Sequence, residues 1–258
     1  GRRMRAVLAG LLLGLVQAAS GPVVADDRRS GFDFMSRQTQ ALQRDDDLNP
    51  AMLWVRGGEI AWSRREGRTD KSCADCHGAT AAAMRGVAAR HPAFDAASGQ
   101  VLTLAGRINS CRVRQQQADP LTPESEPLLS LTAHVAMASR GLPVAPPDDA
   151  RLAPLRAQGQ RLFQQRMGQL VLSCAQCHDA LAGRRLGGST IPQAHPTGYP
   201  LYRLEWQALG SLQRRLRGCF SGVRAEVPPF DHPDLVALEL YLMQRAAGMP
   251  MESPAVRP

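Results

Sequence analysis

The pentapeptide Cys-x-x-Cys-His occurs twice, as Cys73-Ala74-Asp75-Cys76-His77 and Cys174-Ala175-Gln176-Cys177-His178. Its spacing constrains this chain more than any other feature. Two thiols three positions apart can add to the two vinyl groups on one porphyrin edge. The adjacent imidazole then reaches the iron from the proximal side, the arrangement of c-type haem attachment. The surroundings of the two copies also match. Gly58-Glu59-Ile60-Ala61-Trp62, Gly67 and Ser72 precede the first, while Gly159-Gln160-Arg161-Leu162-Phe163, Gly168 and Ser173 precede the second, each 101 residues later. A motif that repeats together with its context predicts two similar units, each with a covalent haem c held by Cys73 and Cys76 or by Cys174 and Cys177.

Other uses of paired cysteines fit less well. The two pairs are 98 residues apart, whereas a zinc ribbon places roughly 15–20 residues between them. A thioredoxin-type pair calls for a βαβ context, and disulfides do not call for a histidine after each pair.

Each half closes on an apolar-periodic segment, Leu128–Arg140 and Leu235–Ala247, followed by Gly141 and Pro143 or by Gly248 and Pro250. A glycine and then a proline is a helix C-terminal signal. Thr122-Pro123-Glu124 reads as the start of the earlier helix, with a cap, a proline at the first turn and an acid. Leu204, Ala208, Leu212 and Leu216 predict another helix, stopped by Gly218. Strand signals are weak, so the expectation is all-α, with two tandem cytochrome c-like domains at 51–142 and 151–258. Residues 143–150, rich in proline and acid, read as a linker. Residues 26–50 read as a loose polar arm wrapping the first domain. Aromatics are only 5% of the chain, thin for two ordinary cores, and porphyrins would supply flat apolar bulk.

Arg2, Arg3 and Arg5 precede an apolar run from Ala6 to Val16 and the small-residue ending Val23-Val24-Ala25. This reads as a signal peptide over residues 1–25, with Met4 as the start, and predicts an exported, periplasmic protein. The run is too short to span a bilayer. Removal through Ala25 takes three arginines and no acid, lowering the formal charge of +8 to +5. A mildly basic exported protein suits small anions or acidic partners. No nucleic-acid recognition motif is present.

Cys111 and Cys219 remain, 34 and 41 residues beyond His77 and His178, and each follows an arginine by four positions, Arg107 and Arg215. They read either as structural thiols, or as one disulfide between domains, or as sixth ligands of the two irons. The second reading leaves no cysteine over and gives His77 and Cys111 to the first iron and His178 and Cys219 to the second. Met137 and Met243 are alternative ligands, but both fall in apolar helical stripes and read as core. His91, His134, His195 and His232 read as loop or core residues. Thiolate ligation would favour Fe(III) and lower the reduction potential.

The segment Arg214-Arg215-Leu216-Arg217-Gly218-Cys219-Phe220, with Arg107-Ile108-Asn109-Ser110-Cys111-Arg112 and both Cys-x-x-Cys-His motifs, resembles the SoxA family, the dihaem subunits of SoxAX cytochromes in bacterial sulfur oxidation. The resemblance covers nearly the whole mature chain. It implies an L-cysteine S-thiosulfotransferase that joins thiosulfate oxidatively to a cysteine of the carrier SoxYZ. Electrons would pass to a monohaem SoxX-like partner and then to a soluble cytochrome c. It also implies that Cys219 is the active cysteine, found in the family as a persulfide, that Arg215 binds the anionic substrate, and that Cys111 is a plain axial ligand. Arg107 precedes Cys111 just as Arg215 precedes Cys219, so the residues alone leave either site open to be the catalytic one. The rival functions are a thiosulfate dehydrogenase forming tetrathionate and a non-enzymatic dihaem electron carrier.

Overall fold

The computed structural model describes residues 26–258; the signal-peptide reading lies outside them. The first half runs through α1 (Arg37–Arg44), α2 (Met52–Ser63), the single turn α3 (Cys73–His77), the hairpin of β1 (Ala93–Asp95) and β2 (Gln100–Leu102), α4 (Leu104–Cys111) and α5 (Glu126–Met137). The second half contains α6 (Ala153–Gln164), the small hairpin of β3 (Arg185–Leu186) and β4 (Ser189–Thr190), a hairpin of β5 (Leu201–Arg203) and β6 (Ala208–Gly210), α7 (Leu212–Gly222), α8 (Pro233–Arg245) and β7 (Ala255–Arg257). β7 pairs parallel with the outer side of β5. Helices carry the architecture, but the short strands correct the all-α expectation.

Each half is built on one helix crossing, α2 on α5 and α6 on α8. The same device permits both. A Cβ at Gly58 would overlap the Ser130 carbonyl and crowd His134, and one at Gly159 would overlap the Ala237 carbonyl and crowd Tyr241. The missing side chain lets the helix backbones approach closely. Four residues on, Trp62 and Phe163 are buried beneath the crossing. Trp62 lies 5.6 Å from the His134 ring, and Phe163 lies 5.5 Å from the Tyr241 ring, both tilted.

A second matched device fixes the loop ahead of each Cys-x-x-Cys-His. Gly67 and Gly168 have φ of +71° and +68°, and a Cβ on either would overlap the carbonyl of Gln116 or of Val223. Around them, Thr69 N–H donates to Gln116 and Leu170 N–H donates to Val223. These acceptors lie just beyond Cys111 and Cys219. Each attachment loop is therefore tied to the end of the segment that carries the extra cysteine.

Several local expectations are corrected. β5 and β6 replace the first part of the helix expected through Leu204 and Ala208. Ser211 then caps α7 by accepting from Arg214 N–H, and α7 runs through Gly218 to Gly222 instead of stopping. α5 begins at Glu126 after Ser125, not at Thr122. The polar arm touches the first half through Asp46, which pairs with Arg140, but also reaches the second half. Arg28 donates to the carbonyls of Arg245 and Ala247, Ser30 to Glu252, and α1 lies against β7.

The segment read as a linker is bound on both sides. Val144 is buried and exchanges backbone hydrogen bonds with Gly248 and Met249, while Ala145 N–H donates to Ala89. Val144 belongs to one apolar cluster with Ala88, Ala136, Met243 and Met251, so the two halves share core. Between them lies a cavity of about 100 Å³ whose wall includes Tyr199, Gln213, Asp231 and Glu239. Among the described residues, no helix is long and apolar enough to cross a membrane.

Candidate active site

Both attachment motifs begin on a capping box. Ser72 accepts from Asp75 N–H while the Asp75 carboxylate accepts from Ser72 N–H. Ser173 and Gln176 make the same reciprocal pair. This satisfies the free donors of a helical turn at its start and sets the cysteines on that turn. All six cysteines are free, which removes the disulfide reading. Among the described residues, no three His, Cys, Asp or Glu side chains converge as a metal cage, so the two pairs are not halves of one zinc site.

At the second motif, His178 Nδ1 lies 2.7 Å from the Pro192 carbonyl oxygen. Anchoring one ring nitrogen orients the other, as outer-sphere partners do for metal-binding histidines. Burial opposes ionisation of Cys219, but the neighbouring His178 side chain and the charge of Arg215, then of Arg203, outweigh it and hold the thiol below its ordinary value. Cys174 lies close by; burial, and then the neighbouring charge of Cys219, push its thiol up to about 11. His178, Cys174, Cys219 and Arg215 thus lie near one another.

The first motif is assembled less tightly. Burial, and then the charge of Cys111, raise the Cys73 thiol, which places those two sulfurs as neighbours. His77 is exposed, its ring 5.8 Å from Trp62, and Cys76 is also exposed.

The two arginines that looked equivalent in sequence differ in surroundings. Arg107 donates to Asp95 at 2.6 Å, and Arg114 reaches the other oxygen of that buried carboxylate at 2.9 Å. Hydrogen bonds from Ser98, then Arg114, hold Asp95 far below the usual carboxylate range. Among the described residues, no acidic side chain pairs with Arg215. Its charge bears instead on Cys219 and on the buried Tyr199. Arg215 therefore leaves its charge beside the Cys219 thiol, whereas Arg107 is engaged with Asp95.

The structure also brings in residues that the sequence reading passed over. Arg203 and Tyr199 join Arg215 at Cys219. Arg214 and Arg217 lie over the rings of Trp206 and Phe230 at 4.2 and 4.1 Å. The remaining histidines have ordinary roles. His91 and His195 bond the Val87 and Arg29 carbonyls, and His232 caps α8. Met243 is core, and Met137 packs against a separate cluster that includes Met52, Leu129 and Ala133.

A family model described as SoxA/TsdA, cytochrome c domain, matches the chain twice, over residues 57–144 and 158–251. The chain belongs to the SoxA family. A relative from Pseudaminobacter salicylatoxidans, named L-cysteine S-thiosulfotransferase subunit SoxA, is 35% identical over 90% of this chain and 82% of its own. A Rhodovulum sulfidophilum protein of the same name is 35% identical, with 90% and 81% covered. The crystal structure of SoxXA from P. pantotrophus superposes with a TM-score of 0.86 at 32% identity, covering 90% of this chain and 87% of that one.

Membership of a cytochrome c family implies covalently bound haem c, and the residues of this SoxA-family chain fit it. A thiol pair is set on a capped turn, an imidazole is oriented through Nδ1, and the Cys219 thiol lies near that imidazole. Gly218 adds to the fit: a Cβ there would meet no protein atom within 4 Å. Protein packing does not demand the glycine, whereas a flat group close to the helix would.

Proposed function

We propose that this chain is an L-cysteine S-thiosulfotransferase subunit that conjugates thiosulfate to a cysteine of a SoxYZ-type carrier protein. The names of its relatives and the superposition on SoxXA support the reading. The observation that carries it is the contrast between the two arginines, Arg107 closed by Asp95 and Arg215 left to Cys219.

The reaction balances as thiosulfate plus a carrier thiol giving a carrier S-thiosulfonate, one proton and two electrons. A sulfur–sulfur bond forms and the thiol S–H bond is lost. Haem c, when bound, accepts electrons and passes them on. Cys174 and Cys177 would hold one haem and His178 and Cys219 its iron. Cys73 and Cys76 would hold another, with His77 and Cys111 on its iron, giving two haems in two domains at 51–142 and 151–258. Arg215 binds the sulfonate end of thiosulfate through charge-assisted hydrogen bonds and keeps its sulfane sulfur beside Cys219. Cys219 is half-buried, which reduces the access of water to that sulfur. A SoxX-like monohaem subunit and a soluble cytochrome c would receive the electrons, and export to the periplasm by residues 1–25 would place the chain with them.

The test is incubation of the haem-loaded complex with thiosulfate, a carrier protein bearing one reactive cysteine, and an oxidised cytochrome c. The expected result is mass gain of one thiosulfate group on the carrier, with two equivalents of cytochrome reduced. Rapid tetrathionate formation with an unmodified carrier would overturn the reading in favour of a thiosulfate dehydrogenase. No turnover, with only reversible reduction, would leave an electron carrier.

A further inference from the structure

We propose that Arg203 is a second substrate-binding residue, closing with Arg215 a two-guanidinium clamp on the sulfonate of thiosulfate at Cys219. The proposal rests on the reading of Cys219 as the thiosulfate site and extends it.

The argument comes from the internal repeat. In the first half a hairpin leads into a capped helix: Asp95 is the last residue of β1, opposite Gln100; Thr103 caps α4; Arg107 and Cys111 follow on it. In the second half Arg203 is the last residue of β5, opposite Ala208; Ser211 caps α7; Arg215 and Cys219 follow at the same intervals. Asp95 and Arg203 therefore hold the same place. The first copy has an acid there, and that acid neutralises its arginine. The second copy has a base, and two like charges face one sulfur.

Two guanidiniums sharing a site repel each other. A dianion removes that repulsion, and three sulfonate oxygens can take donors from two planar forks. Arg203 has donors to give. Its side chain is 12% exposed, and its buried Nε has no hydrogen-bond partner in the protein. Its one ion pair, Nη2 to Glu205 at 2.8 Å, is with a side chain that is 66% exposed. Such exposed partners hold weakly, so Glu205 steadies Arg203 between turnovers and yields it to the substrate.

The experiment compares wild type, Arg203→Gln, Arg203→Lys, Arg203→Asp and Glu205→Gln as haem-loaded complexes. Steady-state conjugation is measured alongside a turnover-independent readout: perturbation of the low-spin EPR signal as thiosulfate is added without carrier. Arg203→Gln is expected to raise KM and the half-saturating thiosulfate at least tenfold, with a smaller change in kcat. Arg203→Lys should recover part of the loss. Arg203→Asp copies the first site, should close Arg215 and should suppress binding further. Glu205→Gln should lower KM. If Arg203→Gln fails to retain haem, Arg203→Lys and Glu205→Gln decide the matter by their opposite shifts in KM. A working wild type with unchanged KM and EPR titration in the Arg203 and Glu205 variants would overturn this proposal alone. A wild type that neither conjugates nor responds to thiosulfate would overturn the functional reading and the clamp with it.

Discussion

Asp95 holds Arg107 at 2.6 Å, and that pair separates the first cysteine-bearing helix from the second. Replacing Asp95 by Asn should free Arg107 and Arg114, lower the melting temperature, and leave the KM for thiosulfate unchanged. The wild-type pair is also pH-sensitive. Because the Asp95 pKa is depressed on folding, its contribution is complete above the ordinary carboxylate range and is lost as pH falls through and below that range. Thermal unfolding between pH 7 and pH 3 should show a steeper acid decline in wild type than in Asp95→Asn.

Cys219→Ala should keep haem attached through Cys174 and Cys177 and abolish conjugation. Intact mass and the carrier assay check both halves of that statement. Full activity would remove Cys219 from the chemistry.

Arg215→Lys replaces a planar fork by a point charge. Losing one charged hydrogen bond of about 1.5–3 kcal/mol should raise the thiosulfate KM by roughly ten- to hundredfold. Arg107→Lys, at the matched position, should leave that KM unchanged; equal effects at both sites would show that the paired arginine is used as well.

Gly159→Ala places a methyl on the Ala237 carbonyl at the α6–α8 crossing. Overpacking of this kind costs about 1–3 kcal/mol, and Gly58→Ala should cost a similar amount at the α2–α5 crossing. Denaturant midpoints measure both. An unchanged midpoint in either variant would show that the helices separate freely.

Glu239 lies in the wall of the cavity between the halves. Burial, and then the charge of Asp231, raise its carboxyl from the usual 4.5 to about 8 despite a hydrogen bond from Gln213. A carboxyl raised on folding costs nothing below pH 4.5, and its cost grows as pH climbs from there to about 8. Glu239→Gln should therefore gain on wild type by roughly 2–4 kcal/mol at pH 9 and show no advantage at pH 4. Parallel pH-stability curves would remove Glu239 as the source.

Membership of a cytochrome c family was legible in the chain because Cys-x-x-Cys-His carries its chemistry in five consecutive residues. The closing helices could be read because their apolar period runs for three turns before a glycine. The region from Leu201 to Gly210 was harder. Its strands are three residues long, and Leu204, Ala208, Leu212 and Leu216 mimic a helical stripe across a hairpin and a true helix. The usable signal was Ser211, a capping residue in the middle of that stripe, matched by Thr103 in the first copy. Missing the hairpin hid Arg203. The symmetry of Arg107 and Arg215 could not be broken without knowing where Asp95 folds, since twelve residues separate it from Arg107.

The front of the described chain rests on its far end. Arg28 is held by carbonyls 217 and 219 residues away, and α1 lies along β7. A polypeptide delivered from its leading end thus carries its first helix without a resting place until the trailing strand arrives. A premature stop at Ala255, which takes the last strand, would damage the molecule at its beginning.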